Sequence, residues 1–270
     1  MNFLLTNDDG ISAPGLWTAA RVLATMGTVL VVAPSHNFSG YGPAHPPHDT
    51  LSCIPYTKHR AALPGVTAYS ISSTPAACVH VGLSGILGTM PIDLVVSGVN
   101  DAPNMGRDVL YSGTVGAAMT AQLMGASAIA LSLDAKPGSI HHWNSAAWAV
   151  GEAIRMWREQ SGPGPVILNV NVPNVPQASL RGAIVTHLSA VSFLDAYRFE
   201  RDAHDGELIT LTRRETPVAP RQAWSDAWAI GHGFVSVTPL SVFPDVLTDT
   251  FDATLPQIMR QMPVAADLRS

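Results

Sequence analysis

The stretch Phe3-Leu4-Leu5-Thr6-Asn7-Asp8-Asp9-Gly10-Ile11 decides how this chain is read. Phe3 to Thr6 is an uncharged, apolar run of the kind found in strands buried on both faces. Two adjacent carboxylates follow at once, on a turn that Gly10 closes. Pro14 to Met26 then suits a helix, with Pro14 in its first turn and Gly27 at its end. Thr28 to Ala33 is a second apolar strand, and a Gly/Pro/His-rich loop follows from Pro34 to Thr50. A strand, a helix and a strand in succession are what a parallel sheet requires.

Outward from this unit the alternation continues for about the first 170 residues. Strands are predicted at Thr67–Ile71, Asp93–Ser97, Ser127–Leu133 and Val166–Asn171. Helices are predicted at Pro75–Leu87, with Thr74 as its cap, at Thr114–Met124 and at Trp143–Glu159. Gly98 to Tyr111 reads as an irregular loop. The fold class is therefore α/β: a Rossmann-like, doubly wound, mostly parallel sheet with helices on both faces. Beyond Pro173 the pattern changes. Leu208–Thr212 and Phe234–Thr238 read as antiparallel strands, Asp205-Gly206 as a hairpin turn and Arg213–Gln222 as a loop. The expected organisation is one domain over 1–270, with a catalytic core at 1–173. An extended β appendage used in oligomerisation spans 174–250, and a C-terminal tail spans 251–270.

Composition narrows the partners. The chain has 270 residues, 47% hydrophobic and only 13% charged, enough for a large core and for surface that another subunit would cover. Net charge is −5 without a basic stripe, which argues against duplex nucleic acid and anionic membrane. Cys53 and Cys78 are the only cysteines, too few for a disulfide framework or a structural zinc site. No apolar run reaches the roughly 18 residues of a spanning helix, and the first residues are strand-like rather than a basic, apolar leader. The expected location is cytoplasmic.

Three constellations carry chemistry. In open α/β sheets ligands bind beyond the carboxyl ends of the strands, which is where Asp8 and Asp9 fall. Adjacent carboxylates without a cationic neighbour in sequence repel one another, and a hard divalent cation relieves that repulsion; a solvated Asp-Gly turn fits the same residues. Ala33-Pro34-Ser35-His36-Asn37-Phe38-Ser39-Gly40 follows the second strand, where a Ser or Asn oxygen is an acceptable ligand for such a cation and an ordinary loop is the plainer reading. Val96-Ser97-Gly98-Val99-Asn100 runs on through Asn104 to Tyr111-Ser112-Gly113-Thr114-Val115-Gly116. Asn100 leaves a strand end, and Ser112-Gly113-Thr114 opens a small-residue helix whose N–H groups suit a phosphate or whose hydroxyls simply cap it.

Other chemistries lack their motifs: there is no GxSxG, GxxxxGK[ST], HExxH or GxGxxG pattern. Arg60 lies too far from Cys53 for a Cys-x5-Arg phosphatase loop, and Cys78 reads as a core residue. His45, His48 and Asp49 read as an exposed Pro-rich loop rather than a second metal cluster. His141-His142 reads as the start of a helix, and Trp148 and Trp157 as core.

Taken together, the blocks resemble the SurE family, the stationary-phase survival proteins also called 5'/3'-nucleotidases. The resemblance rests on Leu4 to Ile11 with Ala13-Pro14-Gly15, on Asn37 with Ser39-Gly40, and on Thr74-Pro75 with Cys78-Val79. It continues through Asp93 to Asn100, Asp108 to Val115, Leu168-Asn169-Val170-Asn171-Val172-Pro173 and Val235-Ser236-Val237-Thr238-Pro239-Leu240. It implies a SurE-like fold and a phosphoric monoester hydrolase that uses manganese or magnesium, one ion per subunit, on nucleoside monophosphates. By resemblance the metal ligands fall on Asp8, Asp9, Ser39 and Asn100. Asn7 joins Asp8 and Asp9 as catalytic, and Asn104, Ser112, Gly113 and Thr114 fall in the substrate and phosphate site. A homodimer or tetramer with exchanged arms is also implied. The chain departs from the family at Ser35-His36-Asn37-Phe38, at Ala76-Ala77 and at Pro103. A non-catalytic metal- or nucleotide-binding protein on the same fold is the main rival, and a dinucleotide oxidoreductase the second.

Overall fold

The computed structural model describes residues 1–47, 50–59, 63–159, 164–190, 192 and 222–242, and the backbone alone of 197–201 and 209–213. These lie in a compact unit spanning Met1–Leu240, apart from the first residues beyond it. The central sheet is built on β1 (Asn2–Thr6), β2 (Thr28–Pro34), β4 (Val66–Ile71), β5 (Leu94–Asn100), β6 (Ala128–Asp134) and β7 (Ile167–Pro173). These six strands run parallel in the order β4-β2-β1-β5-β6-β7. Chain order reverses at β1, which pairs with β2 on one side and β5 on the other. That reversal opens a crevice at the carboxyl ends of β1 and β5.

β1 shows why an apolar run becomes a central strand. Phe3, Leu4 and Leu5 are all completely buried, which requires cover on both faces. Phe3 and Leu5 belong to the core beneath α1 (Pro14–Ala24) and α4 (Trp143–Arg158). Leu4 points the other way and meets Gly82 of α2 (Pro75–Leu83), which packs against α3 (Gly113–Leu123). α1, α2 and α4 start where the sequence predicts and α3 one residue earlier, and the starts of α1, α2 and α3 are chemically marked. Pro14 and Pro75 occupy first turns, Thr74 accepts from the Ala77 N–H at 3.3 Å, and Ser112 from the Val115 N–H at 3.0 Å. No helix among the described residues is long and apolar enough to cross a membrane.

Two corrections follow from the sheet. Phe234–Thr238, read as part of the appendage, corresponds to β11 (Val235–Leu240), which joins the main sheet antiparallel to β7. Its residues Val235 to Thr238 are buried, so both of its faces have cover, as a strand within a sheet needs. β8 (Ala183–Val185) extends that edge parallel to β11, while β3 (Cys53–Pro55) adds antiparallel to β4 at the other. What stands apart is a two-stranded antiparallel hairpin of β9 (Tyr197–Arg201) and β10 (Ile209–Arg213). The second correction is in the Gly98–Tyr111 loop. Gly98, Val99 and Asn100 continue β5, with a register shift against β6 between Ser97 and Asn100, and Gly106–Tyr111 is a 3-10 helix. At Gly98 φ is +128°, and a Cβ there would lie 2.3 Å from the Leu131 carbonyl oxygen, so only glycine allows the irregularity. The predicted Asp205-Gly206 turn and most of Arg213–Gln222 lie outside the described residues.

Candidate active site

The acidic turn sits at the reversal point. Asp8 follows β1 and Asn100 ends β5, and the two strands are in register through Thr6 and Ser97. Asn7 is fully buried, and its Nδ2 donates to the Gly10 carbonyl at 3.0 Å, so this side chain shapes the turn itself. The loop after β2 closes over the turn from the other side. The Phe38 N–H donates to the Asp8 carbonyl at 2.7 Å, which brings the exposed Ser39 to the same place. The Ser39 N–H is in turn held by Asn37 Oδ1 at 2.7 Å, an Asx turn.

The first turn of α3 arrives against Asp8. Thr114 Oγ1 donates to Asp8 Oδ1 at 2.5 Å, and the Thr114 N–H donates to the same carboxylate. Gly113 lies so close that a Cβ there would be 2.9 Å from Asp8 Oδ2. Ser112 Oγ is committed to capping the Val115 N–H. Of the first three amides of α3, these bonds leave that of Gly113. Thr114, expected to bind phosphate, therefore holds a carboxylate in this structure: the helix N-terminus favours the nearest negative charge, and Asp8 supplies it.

Electrostatics favour a cation. Burial pushes the Asp8 carboxyl above the usual carboxylate range against the opposing bonds from Thr114, and nearby Asp101 adds to the rise. Burial, with the like charges of Asp8 and Asp101, pushes Asp9 up to about 7, although the Asp101 N–H bond opposes this. Among the described residues, the charged neighbours that raise this pair are themselves acidic, an arrangement a divalent cation would relieve. Among the described residues, no three His, Cys, Asp or Glu side chains converge as a metal site on their own. Neutral oxygens must complete such a site. Asn100 could be one of them: its Nδ2 donates to the Ala102 carbonyl at 2.6 Å, which leaves the amide oxygen as its possible ligand atom. The donor set is all oxygen and suits a hard ion such as magnesium or manganese.

Asn104 lies on the far side of the crevice in a buried amide network. Its N–H donates to Asn171 Oδ1 at 2.8 Å and its Nδ2 to Ser132 Oγ at 2.8 Å. Asn169 and Asn171 both return bonds to its carbonyl. Further along, buried Asp226 in α5 (Asp226–Gly231) accepts from the N–H groups of Gly106 at 2.7 Å and Ser189 at 2.9 Å. Sequence reasoning singled out none of Asp101, Ser132 or Asp226, nor the network role of Asn169 and Asn171. Two asparagines alternating through an apolar strand were the available signal. Elsewhere, His45 Nε2 lies 3.1 Å from His80 Nδ1, while His48 and Asp49 fall outside the described residues. Cys78 is buried and Cys53 exposed.

Known proteins resemble this chain in sequence and in fold. A family model described as Survival protein SurE matches residues 3–194. The chain is 37% identical over 242 residues to a protein of Laribacter hongkongensis named 5'-nucleotidase SurE, covering 90% of this chain and 93% of that one. A Legionella pneumophila protein of the same name is 38% identical over 240 residues, covering 89% and 90% respectively. The crystal structure of SurE protein from Aquifex aeolicus superposes with a TM-score of 0.77 at 30% identity, covering 95% of this chain and all of that one. On the strength of a match across most of its length, with the same fold, the chain belongs to the SurE family.

Proposed function

We propose that this chain is a divalent-metal-dependent phosphomonoesterase that hydrolyses nucleoside monophosphates. Its relatives are named 5'-nucleotidases, so the 5'-phosphate is the first substrate class to test and the 3'-phosphate the second. The observation that carries the reading is the pair of buried Asp8 and half-buried Asp9 at the sheet's reversal point, with acidic Asp101 beside it and the N-terminus of α3 against Asp8. Asp8, Asp9, Ser39 and Asn100 would hold one magnesium or manganese ion per subunit. When bound, that ion supplies charge neutralisation and Lewis acidity at the phosphoryl group.

The protein's own residues divide the remaining work. Thr114 fixes the Asp8 carboxylate, and Asn7 fixes the turn that carries it; both are positioning residues. The Gly113 N–H and Asn104 bind phosphate oxygens, with Ser112 setting the helix start that aims the amide. Among the described residues no side chain donates a hydrogen bond to Asp9, which is the acceptor for the attacking water's proton, while Asp8 is fixed. No covalent phosphoenzyme is needed. The β9–β10 hairpin, two strands alone, belongs to an even-numbered assembly of copies in this reading.

The test is phosphate release from a nucleoside 5'-monophosphate by metal-stripped enzyme, then with manganese or magnesium added back. Turnover restored by metal and abolished in Asp9→Asn is the expected result. Nucleotide binding without release under any metal would establish the non-catalytic rival instead.

A further inference from the structure

The loop that brings Ser39 to the acidic turn carries aromatic side chains that the chemistry above does not use. His36 and Phe38 have ring centroids 4.3 Å apart, tilted by 33°. Phe38 and Tyr41 lie 5.3 Å apart, edge to face at 73°. Phe38 is half-buried, whereas Tyr41 is 59% exposed, a large ring left facing solvent beside a candidate active site. The loop is fastened on both sides of that site. At one end Phe38 is bonded through its N–H to Asp8. At the other, the Gly42 N–H donates to the Tyr111 carbonyl at 3.1 Å, and Gly42 packs so closely on Gly116 of α3 that a Cβ there would meet its carbonyl oxygen at 2.6 Å. The Tyr41 N–H also closes a turn onto the Phe38 carbonyl at 3.3 Å. The rings therefore stand on backbone anchored between the carboxylate pair and the phosphate-facing end of α3.

We propose that the exposed Tyr41 ring, braced edge to face by Phe38, is the platform on which the substrate's nucleobase stacks, making the two residues determinants of specificity for nucleotides over phosphomonoesters that lack a base. The inference rests on the nucleotidase reading and adds the recognition of the base to it. Every base has a flat π-face, and a supported aromatic ring binds it without reading its hydrogen-bonding edge. A tolerant preference among bases follows, together with a marked preference for having one. His36, at the end of the ring row, extends the same apolar-aromatic surface rather than supplying the chemistry.

The test compares kcat/KM for adenosine 5'-monophosphate and for ribose 5-phosphate in wild type, Tyr41→Ala, Phe38→Ala and Tyr41→Phe, at one saturating metal concentration. The ratio of nucleotide to base-free kcat/KM is expected to fall roughly tenfold in each alanine variant, in the range of base–aromatic stacking, and to recover in Tyr41→Phe. Equal losses on both substrates, a purely structural effect, overturn the proposal. So does an unchanged ratio, or a Tyr41→Phe enzyme as impaired as Tyr41→Ala. If the rings instead form a contact between copies, light scattering of the alanine variants shows a changed mass with an unchanged ratio, and the proposal fails. Wild-type enzyme that hydrolyses neither substrate with either metal brings down the nucleotidase reading itself, a result distinct from all of these.

Discussion

Thr114 Oγ1 donates a 2.5 Å hydrogen bond to Asp8 Oδ1 across 106 residues of sequence, joining the first turn of α3 to the turn after β1. Both residues are buried, so water cannot replace the bond once it is lost. Thr114→Val keeps the shape and removes the donor. A hydrogen bond to a charged group contributes about 1.5–3 kcal/mol. The variant should lose roughly tenfold or more in kcat/KM and need more metal for half-maximal activity. Titrating activity against manganese checks this, and a metal requirement identical to wild type would show that Thr114 does not position Asp8.

Gly113 supplies a sharper steric test. A Cβ at this position meets Asp8 Cβ at 2.8 Å and Asp8 Oδ2 at 2.9 Å, closer than real contacts allow. Gly113 has an ordinary helical backbone, so Gly113→Ala carries no conformational penalty and should favour the helix slightly. Its cost falls on the carboxylate, which must move. Activity should drop by about two orders of magnitude, since misplacement of about 1 Å near the reaction centre costs that much. Circular dichroism should still show a folded protein. Near-normal turnover in this variant would mean that Asp8 is free to shift without harm.

The acidic pair also fixes a pH dependence. Asp9 has an ordinary value of 3.8 and is pushed to about 7 when folded, so the folded metal-free protein binds a proton more tightly than the unfolded chain. Stability from this group is therefore fully present below about pH 4 and is lost as pH rises toward 7. Asp8 shifts in the same direction. Metal competes with those protons, so its affinity should increase as pH rises through 7. Metal-free protein is expected to melt at lower temperature at pH 8 than at pH 6, with added manganese or magnesium stabilising it most at pH 8. Asp9→Asn should flatten the metal-free trend. A melting temperature of the Asp9→Asn protein with the wild-type pH slope would assign that slope to other groups.

How much of this was legible in the sequence depends on whether each feature is local. β1, β2 and β5 to β7 announce themselves because a parallel strand needs cover on two faces and so reads as an apolar run. β3, β8 and α5 do not, being three, three and six residues long, with β3 fully exposed. β11 was visible as a strand, but nothing in Val235–Leu240 says that its partner is β7, some 70 residues earlier. The site divides the same way. Asp8-Asp9 is a local pair and could be read directly. The engagement of Thr114 with Asp8, the approach of Asp101 to Asp9 and the hold of Asp226 on Gly106 are created only when β1, β5, α3 and α5 come together.

Asp226 tests one of those unread contacts. Its carboxylate accepts from the Gly106 and Ser189 N–H groups, both in buried residues, and Gly106 follows the Asn104 segment of the site. Asp226→Ala leaves both donors without an acceptor, at a cost of about 1–3 kcal/mol for each unsatisfied group. Thermal unfolding should show a loss of several degrees. KM for a nucleotide should rise more than kcat falls, because the variant loosens the segment proposed to bind substrate. Unchanged melting and unchanged KM together would show that this carboxylate does not hold the loop.

The hairpin gives the last prediction. Among the described residues, β9 and β10 pair only with each other, so each presents its outer edge of backbone N–H and carbonyl groups. Two strands alone are marginal in water, and open edges invite further pairing. The only 13% charged residues in the chain leave much surface for another copy to cover. A symmetric pairing of two such arms satisfies both strands at once and closes the assembly, whereas a head-to-tail contact would propagate. Light scattering at micromolar concentration should therefore give an even multiple of 28.5 kDa. Replacing 197–213 with a short Gly-Ser link should reduce that mass to the monomer's while leaving the main sheet folded by circular dichroism. A 28.5 kDa wild-type species, or an assembly that survives the deletion, would place the subunit contact elsewhere or remove it.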